Sequence, residues 1–288
     1  MAIVKSFAVG EGDMFYIKHD NKTLTIIDCC LSKSDEKKEY ILEELKNLKD
    51  IDFNRFILTH PHDDHTRGFE DLTKEIKINN IYRTIDQFIK QKKNLNEKTS
   101  SPKILDLFNN ITNSWFNKPK GSRGSSNLEC LWPDKNNPEF LDAKKNGDWN
   151  NVSPVIRFVD SGYSFIWFGD LEIPMLEEFF NQEKDIISPT DIVFAPHHGR
   201  ESGKIPDALL KKLNPQLIVI GEIEDKDDIA DYGKYKTISR ANSGDITFYI
   251  ENGKCYIFTE NKIVKTEPVI PHKIKALFPG SCPYTLIN

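Results

Sequence analysis

The sequence predicts an α+β fold in which short β-strands outnumber a few amphipathic helices. Short apolar runs recur along the chain and are separated by Gly, Asn and Asp turn signals. The segment from Asp35 to Leu48 carries apolar residues at helical spacing with charges between them, which is typical of a helix that covers a sheet. With 288 residues, of which 38% are hydrophobic, the chain is long enough to bury a substantial core.

The chain starts with strands joined by tight turns. Ile3 to Val9 and Met14 to Lys18 alternate like strands on either side of a glycine-containing turn, and Leu24 to Ile27 follows a second turn. Asp28 comes directly after this third run. It is interpreted either as a structural carboxylate near a functional site or as a cap of the following helix, and both readings stay open.

A polar cluster follows the next apolar run, Phe56 to Thr59. The cluster reads His60-Pro61-His62-Asp63-Asp64-His65. In extended backbone, His60 and His62 point to the same side of the chain, and a turn into a helix would bring Asp64 and His65 back toward the same point. Imidazole nitrogens and carboxylate oxygens are the donors that divalent transition metals prefer. The cluster therefore predicts a metal site.

The second half of the chain repeats this pattern. A predicted hairpin from Val155 to Phe168 runs directly into Asp170, and the apolar run Asp191 to Ala195 is followed by His197 and His198. Apolar runs thus end in metal-binding residue types at Asp28, His60, Asp170 and His197. Because open sheets build their sites at the carboxyl ends of strands, we expect these side chains to converge at one edge.

The remaining regions carry less information. Strands are expected at Leu217 to Ile220, Ile246 to Ile250 and Cys255 to Phe258. We predict one domain over residues 1–288, with a Lys-rich, mainly helical insertion at about 86–146. That insertion is interpreted either as a solvated helical segment or as a lid whose lysines bind phosphate.

Composition limits the function classes. The net charge of −5 argues against broad nucleic-acid binding through overall charge, although a local basic patch could still bind phosphates. Five cysteines fit neither a disulfide framework nor a zinc ribbon. The sequence has no long apolar run, and its amino end lacks the pattern of a secretory signal. We therefore expect a cytoplasmic protein with no membrane partner.

The H-x-H-x-D-H pattern at residues 60–65 resembles the signature of the metallo-β-lactamase superfamily. A closer resemblance is to the metallo-β-lactamase-like domain of ComEC competence proteins. It is carried by Val9 to Asp13, Leu24 to Asp28, His60 to His65, Asn150 to Ser153, Phe168 to Glu172, His197 to Gly199 and Ser243 to Phe248. The resemblance implies an αββα sandwich, in which two mixed β-sheets carry helices on their outer faces, with a metal-dependent hydrolase site at one edge.

The resemblance also implies two divalent metal ions, zinc or manganese, that activate a hydroxide. The expected metal ligands are His60, His62, Asp64, His65, Asp170, His197 and His198. His60 and His62 would hold one ion, whereas Asp64, His65 and one of the two later histidines would hold the other, with Asp170 between them. Asp64 and His198 are the predicted catalytic residues. Arg200, Ser202 and Asn151 are the predicted substrate-binding residues.

Two departures from the family pattern affect this prediction. No histidine lies between His65 and His197, so Asp148, Asn150 or Asn151 would have to replace the usual third histidine of the first ion. An oxygen donor there would favour Mn²⁺ or Mg²⁺ over Zn²⁺. Arg200 stands where relatives carry a small serine, and Ser202 is a candidate substitute. Arg200 is interpreted either as a phosphate ligand or as a surface arginine.

Three functions remain open from the sequence. The first is a phosphodiesterase or nuclease, with a phosphodiester, a nucleotide or a nucleic acid as the substrate. The second is a hydrolase of a lactone, thioester or other carbonyl substrate. The third is a catalytically weak binding or regulatory module, which the absent third histidine favours. The sequence does not specify an oligomeric state.

Overall fold

The structure is a computed structural model that describes residues 1–84, 106, 111, 113–114, 126–261 and 282–287. Its strands are β1 (Ala2–Ser6), β2 (Phe15–Lys18), β3 (Thr23–Ile27), β4 (Phe53–Ile57), β5 (Asn80–Tyr82), β6 (Asn113–Ser114), β7 (Leu128–Trp132), β8 (Val155–Asp160), β9 (Tyr163–Trp167), β10 (Ile192–Phe194), β11 (Leu217–Ile220), β12 (Thr237–Ser239), β13 (Ile246–Glu251), β14 (Lys254–Thr259) and β15 (Cys282–Ile287). The helices in these ranges are α1 (Asp35–Asn47), α2 (Phe69–Glu75), α3 (Pro138–Asn146), α4 (Ile173–Glu183), α5 (Asp207–Leu213) and α6 (Arg240–Ser243).

The strands form two mixed sheets, which confirms the predicted α+β class. The larger sheet has the order β15-β14-β13-β1-β2-β3-β4-β5-β6, and the smaller has the order β12-β11-β10-β9-β8-β7. β3, β4 and β5 run parallel in the first sheet, as do β9, β10, β11 and β12 in the second. Parallel neighbours require a crossover connection, and α-helices form part of it between β3, β4 and β5 (α1 and α2) and between β9, β10 and β11 (α4 and α5).

Alternating side chains on the strands build the layers of the core. In β4, Ile57 belongs to the apolar cluster between the sheets, where Phe15, Phe165 and Trp167 also lie. The preceding residue, Phe56, faces the other way and packs against Phe69 of α2, with ring centroids 4.7 Å apart. This alternation with period two places an apolar layer on both faces of the sheet. The helices therefore cover faces that the sheets do not use against each other.

The outer layers are closed by amphipathic helices. Ile41 and Leu45 of α1 are buried in the same cluster as strand residues of the larger sheet. Leu176 and Phe179 of α4 are buried with Ile166 of β9, on the smaller sheet. Burial of each such side chain contributes roughly 1.5–3 kcal/mol. These contacts hold the helices against the sheets and so stabilise the positions of the strand ends.

The predicted insertion falls only partly on described residues. Residues 126–146 contain β7, which pairs with β8 at the edge of the smaller sheet, and α3. Most of the Lys-rich part lies outside the described residues, so the helical insertion and the lid both stay predictions. No helix in the described ranges is long and apolar enough to cross a membrane. The cytoplasmic location stays a prediction as well.

Candidate metal centre

The polar cluster after β4 turns away from the sheet in a short 3₁₀ turn, Asp63–His65. His60, at its start, is buried, and its Nε2 lies 2.9 Å from His62 Nδ1. Thr59 Oγ1 lies 3.1 Å from His60 Nδ1. The structure thus brings His60 and His62 together, as the spacing predicts.

His65 is held by a carboxylate from the neighbouring strand. Its Nδ1 lies 2.8 Å from Asp28 Oδ2, and Asp28 also accepts hydrogen bonds from Thr59 N (2.8 Å) and Thr59 Oγ1 (2.6 Å). Because a carboxylate only accepts, His65 Nδ1 carries the hydrogen and Nε2 keeps its lone pair. Asp28 does not cap α1, since the N-cap of that helix is Ser34. Of the two sequence interpretations, the structure shows the carboxylate beside the site.

Asp170 lies at the centre of the cluster. Its Oδ2 is 3.2 Å from His65 Nε2, 3.5 Å from His198 Nε2 and 3.7 Å from His60 Nε2. The preceding Gly169 has φ +55°, and a Cβ there would lie 2.7 Å from Ser153 side-chain atoms. Glycine is therefore needed at this turn, because any side chain would displace the strand end that carries Asp170.

His198 enters from the smaller sheet, through the turn after β10. His197 and His198 have positive φ angles of 49° and 59°, which are unusual for residues with a side chain. The turn buries His198 and places its Nε2 3.3 Å from Asp64 Oδ2. His197 stays 18% exposed, with Nε2 3.9 Å from Asp170 Oδ2 and Nδ1 2.8 Å from Ser202 Oγ. The two adjacent histidines therefore occupy different environments.

A compact group of four buried residues could hold a metal ion. Ligand atoms of Asp13, His65, Asp170 and His198 all lie within 4.8 Å of one another. Four buried atoms of this group have no hydrogen-bond partner, namely His65 Nε2, His198 Nδ1, His198 Nε2 and Asp170 Oδ1. Buried polar atoms without partners are rare and costly, and their convergence is what a cation site requires. These residues fit a divalent metal ion.

Asp13 was missed by the sequence interpretation. It lies in the turn between β1 and β2, inside the Val9 to Asp13 motif, and it is buried. Its Oδ2 is 3.4 Å from His198 Nδ1, and its backbone N–H donates to Asp64 O at 3.1 Å. The only sequence signal was an acidic residue after a glycine in a short turn, which is common in turns without a site.

Burial and charge act against each other on these groups. Burial opposes ionisation of Asp170, but His65 and His198 outweigh it and hold the pKa of this carboxyl well below its usual value. Burial disfavours the charged form of His198, yet Asp170 and Asp13 raise its pKa well above the usual value. For His60, burial and His65 together lower the pKa well below the usual value. A dense set of mutually shifted groups is typical of functional sites.

The residues proposed to replace the absent third histidine bind each other. Asn151 Nδ2 donates to Asp148 Oδ2 at 2.8 Å, and Asn151 Oδ1 accepts from Glu172 N at 3.1 Å. Asn150 Nδ2 donates to Glu172 Oε1 at 3.2 Å and lines the cleft above the centre. This amide network holds the segment after Asp170. A role for Asn151 in substrate binding stays a prediction.

Arg200 is engaged by acidic partners. Its NH1 lies 2.9 Å from Asp228 Oδ2, and its NH2 lies 2.7 Å from Glu11 Oε1. It still lines the cleft, as does Ser202. Because two carboxylates already accept from its guanidinium, a substrate phosphate would have to compete with them. Its predicted role is untested.

An open cleft of about 940 Å³ leads to the centre. Its acidic lining residues are Glu11, Asp63, Asp64, Asp170, Glu222, Glu224 and Asp228, and its basic ones are Lys33, Arg67 and Arg200. His62, His197 and His198 also line it. The described wall of the cleft is therefore predominantly acidic, and Arg67 is itself paired with Asp63 at 2.8 Å.

The two-sheet fold and the histidine–carboxylate cluster at the strand ends define a metallohydrolase type of architecture. Residues 8–209, more than half of the chain, match the family model described as Metallo-beta-lactamase superfamily. The chain belongs to this superfamily of metal-dependent hydrolases, which confirms the coarser part of the resemblance.

Solved structures give distant similarities. One is a HARLDQ-motif mutant of the metallo-β-lactamase from Cronobacter sakazakii, with 14% identity, a TM-score of 0.41, and coverage of 65% of this chain and 74% of that chain. Another is CmlA, a diiron β-hydroxylase from Streptomyces venezuelae, with 15% identity, a TM-score of 0.41, and coverage of 76% of this chain and 44% of that chain. No curated protein sequence matches the chain.

Proposed function

We propose that this protein is a divalent-metal-dependent phosphodiesterase. The observation that carries the proposal is the convergence of His65 Nε2, His198 Nε2 and Asp170 on one point, with these buried donors lacking hydrogen-bond partners. Metal ions bound there would polarise a phosphoryl oxygen and lower the pKa of an attacking water. Two carboxylates, from Asp64 and Asp170, add oxygen donors to the histidines, which suits Mn²⁺ as well as Zn²⁺.

The ligand assignment follows the geometry of the two adjacent histidines. His198 is buried and its Nε2 faces Asp64 and Asp170, so we assign it to metal binding rather than to proton transfer. His197 lines the cleft, and Ser202 Oγ lies against its Nδ1. That contact orients the ring and leaves Nε2 toward the centre. His197 is therefore the proposed general acid that protonates the leaving oxygen.

The charge of the cleft favours a small phosphodiester over a nucleic acid. Glu222, Glu224 and the Glu11–Arg200–Asp228 group present net negative charge at the described mouth. A polyanion would be repelled along its length, whereas a single diester needs only the metal centre. The ComEC-like motifs support phosphodiester chemistry but do not require a polymer.

The acidic cleft also favours a second candidate, an uncharged carbonyl ester such as a lactone or thioester. A neutral substrate meets no repulsion from the wall, and the same metal centre would serve its hydrolysis. The two candidates differ in the charge and geometry of the reacting group. Assays on different substrates therefore distinguish the two candidates, whereas a metal analysis does not.

Two variants and two kinds of substrate test the proposal. Purified protein loaded with Mn²⁺ or Zn²⁺ is assayed on bis-p-nitrophenyl phosphate, on a diester with an alkoxide leaving group, and on a lactone panel. Asp170→Asn should abolish both metal binding and turnover. His197→Gln should keep the metal and lower turnover of the alkoxide diester roughly 10²–10⁴-fold. Its effect on bis-p-nitrophenyl phosphate should be small, because nitrophenolate leaves without protonation.

The other outcomes decide against the proposal. Hydrolysis of lactones with no turnover of either diester would establish the second candidate. Metal binding without turnover of any substrate would favour the binding module. A His197→Gln variant that slows both diesters equally would remove His197 as the acid, while leaving the metal assignment intact.

A further inference from the structure

Asp13 contacts the ring nitrogen of His198 that does not face Asp64 and Asp170. Its Oδ2 lies 3.4 Å from His198 Nδ1, whereas His198 Nε2 faces Asp64 and Asp170. At this distance the contact is an ion pair and not a hydrogen bond. A carboxylate beside Nδ1 favours the tautomer with its hydrogen on Nδ1, which leaves the lone pair on Nε2. The carboxylate of Asp13 can do this only if its own position is fixed.

Arg240 fixes that position from a distant part of the chain. It is the first residue of α6, and its guanidinium is buried. NH2 lies 2.5 Å from Asp13 Oδ1 and donates to Gly12 O at 3.1 Å, while NH1 donates to Phe7 O at 3.2 Å. Three acceptors around one turn therefore hold the fork in a single orientation.

Gly221 leaves the space that this arrangement needs. A Cβ at Gly221 would lie 2.6 Å from Arg240 NH2 and 2.9 Å from His198 Cβ. Gly221 N also donates to His198 O at 2.8 Å. The backbone after β11 thus passes between the arginine and the histidine with no room for a side chain, so it ties the two residues together.

Burying an arginine destabilises the folded state unless another charge pairs with it. Removing a guanidinium from water is unfavourable, and among the described residues the ion pair of Arg240 is with Asp13. Asp13 in turn lies close to Asp170, and two neighbouring carboxylates repel each other. The cation of Arg240 permits a third carboxylate to stand at the centre and keep a fixed orientation.

We propose that Arg240 is a positioning residue for the metal centre, acting through Asp13 to orient His198. The relay runs from Arg240 to Asp13 Oδ1, and from Asp13 Oδ2 to His198 Nδ1. It concerns metal binding and does not depend on which substrate is hydrolysed.

The test measures metal affinity in chelator-treated protein by calorimetry, with Mn²⁺ and Zn²⁺, for the parent, Arg240→Gln, Asp13→Asn and the double variant. Loss of a supporting residue behind a ligand typically costs 10–100-fold in metal affinity, and each single variant should show this loss. The double variant should be about as weak as either single one, because both changes break the same relay. Arg240→Lys should restore part of the affinity.

Arg157→Gln is the matched control. Arg157 is also a buried arginine in the smaller sheet, and its NH2 donates to Pro189 O at 3.3 Å, with no contact to the centre. The Arg157→Gln variant should have a lower free energy of unfolding and an unchanged metal affinity. The visible spectrum of the Co²⁺-loaded protein gives a second readout, which should change in Arg240→Gln and not in Arg157→Gln.

Three results would overturn the relay. One is a folded Arg240→Gln variant with parental affinity and spectrum. Another is a loss in Asp13→Asn alone, which would make Asp13 a ligand that needs no support. The third is additive losses in the double variant. If Arg240→Gln does not fold, Arg240→Lys, which keeps a positive charge but loses the two-armed contact with Asp13 and the backbone carbonyls, decides by the same criterion.

Discussion

Two buried histidines face Asp170 from opposite sheets, and the chain supports them in different ways. His65 Nε2 lies 3.2 Å and His198 Nε2 3.5 Å from the same oxygen, Asp170 Oδ2. Each ring has a carboxylate behind its Nδ1. In both halves of the centre, a carboxylate lies beside the Nδ1 atom of the histidine. The halves differ in which residues hold that carboxylate in place.

Neutral donors hold one carboxylate and a cation holds the other. Asp28 accepts from the N–H and O–H of Thr59, and its pKa is raised because burial outweighs these hydrogen bonds and the charge of His65. Burial also acts on Asp13, but Arg240 and His198 outweigh it, so the pKa of Asp13 is lowered. Neutral donors fix the position of a carboxylate and leave its charge uncompensated. The arginine fixes the position of Asp13 and also compensates its charge.

In the half of the centre where neutral donors hold the carboxylate, Asp28→Asn is expected to lower metal affinity most. The amide would present either an oxygen without charge or an NH₂ group toward the Nδ1 hydrogen of His65, so the ring loses its fixed tautomer. Metal affinity should fall roughly 10–100-fold, as in Arg240→Gln. Calorimetry on chelator-treated protein measures this.

Asp191→Asn is the control for that change. Asp191 Oδ2 accepts from Ser164 N and Ser164 Oγ, both at 2.8 Å. Asp28 likewise accepts from one backbone N–H and one hydroxyl, but it also contacts a histidine. Substitution of Asp191 should leave metal affinity unchanged. Equal losses in the two variants would show that Asp28 acts only through general stability.

His19 sharpens the comparison because it is a buried histidine without a carboxylate. Its Nε2 lies 2.9 Å from Thr25 Oγ1. Burial and the charge of Arg55 lower its pKa from 6.5 to about 3, despite a hydrogen bond that the ring donates to the backbone of Ser126, which raises it. Burial also acts to lower the pKa of His65 and His198, but nearby carboxylates outweigh it and raise both pKa values above the usual value.

This shift predicts a stability change with pH. Since the folded-state pKa of His19 is depressed, its contribution is complete above the unfolded pKa of about 6.5 and is lost as pH falls toward 3. Between pH 7 and pH 5 the metal-free protein should lose on the order of 2 kcal/mol through this group. Urea unfolding of His19→Gln, which stays neutral, should show a pH dependence smaller by that amount. A parallel dependence in the two proteins would contradict the assignment.

The part of the site that lies at strand ends was predictable from the sequence. Asp28, His60 and Asp170 each follow an apolar run, and the parallel strands bring such positions to one edge. The two-sheet fold followed from the resemblance that the family motifs carry. These features depend on local pattern, which a single sequence displays.

Asp13 and Arg240 were not predictable, for a physical reason. They are 227 residues apart, and their ion pair exists only after β1, β2 and α6 pack together. An acidic residue in a glycine turn and an arginine before a short helix have ordinary local explanations. The replacement for the third histidine was likewise left open, because the amide network around Asn151 is set by packing against Glu172.

The smallest effect in the comparison is expected from Thr59→Val, which removes one of the two neutral donors. Thr59 Oγ1 donates to Asp28 Oδ2 and lies 3.1 Å from His60 Nδ1, so the hydroxyl helps to fix two rings. The backbone N–H of Thr59 still holds Asp28 in the variant. Loss of one hydrogen bond of about 1 kcal/mol corresponds to a roughly five-fold weaker metal affinity.

Thr25→Val is the control for this last change. Thr25 is as buried as Thr59, and its hydroxyl contacts His19, which is not part of the centre. It should not change metal affinity, although it should lower stability by a similar amount. If Thr59→Val weakened metal binding as much as Arg240→Gln, neutral and charged support would be equivalent and the difference between the two sides of the centre would have no energetic consequence. A small loss for the hydroxyl beside a large loss for the guanidinium is expected because only the latter leaves a buried carboxylate without its counter-charge.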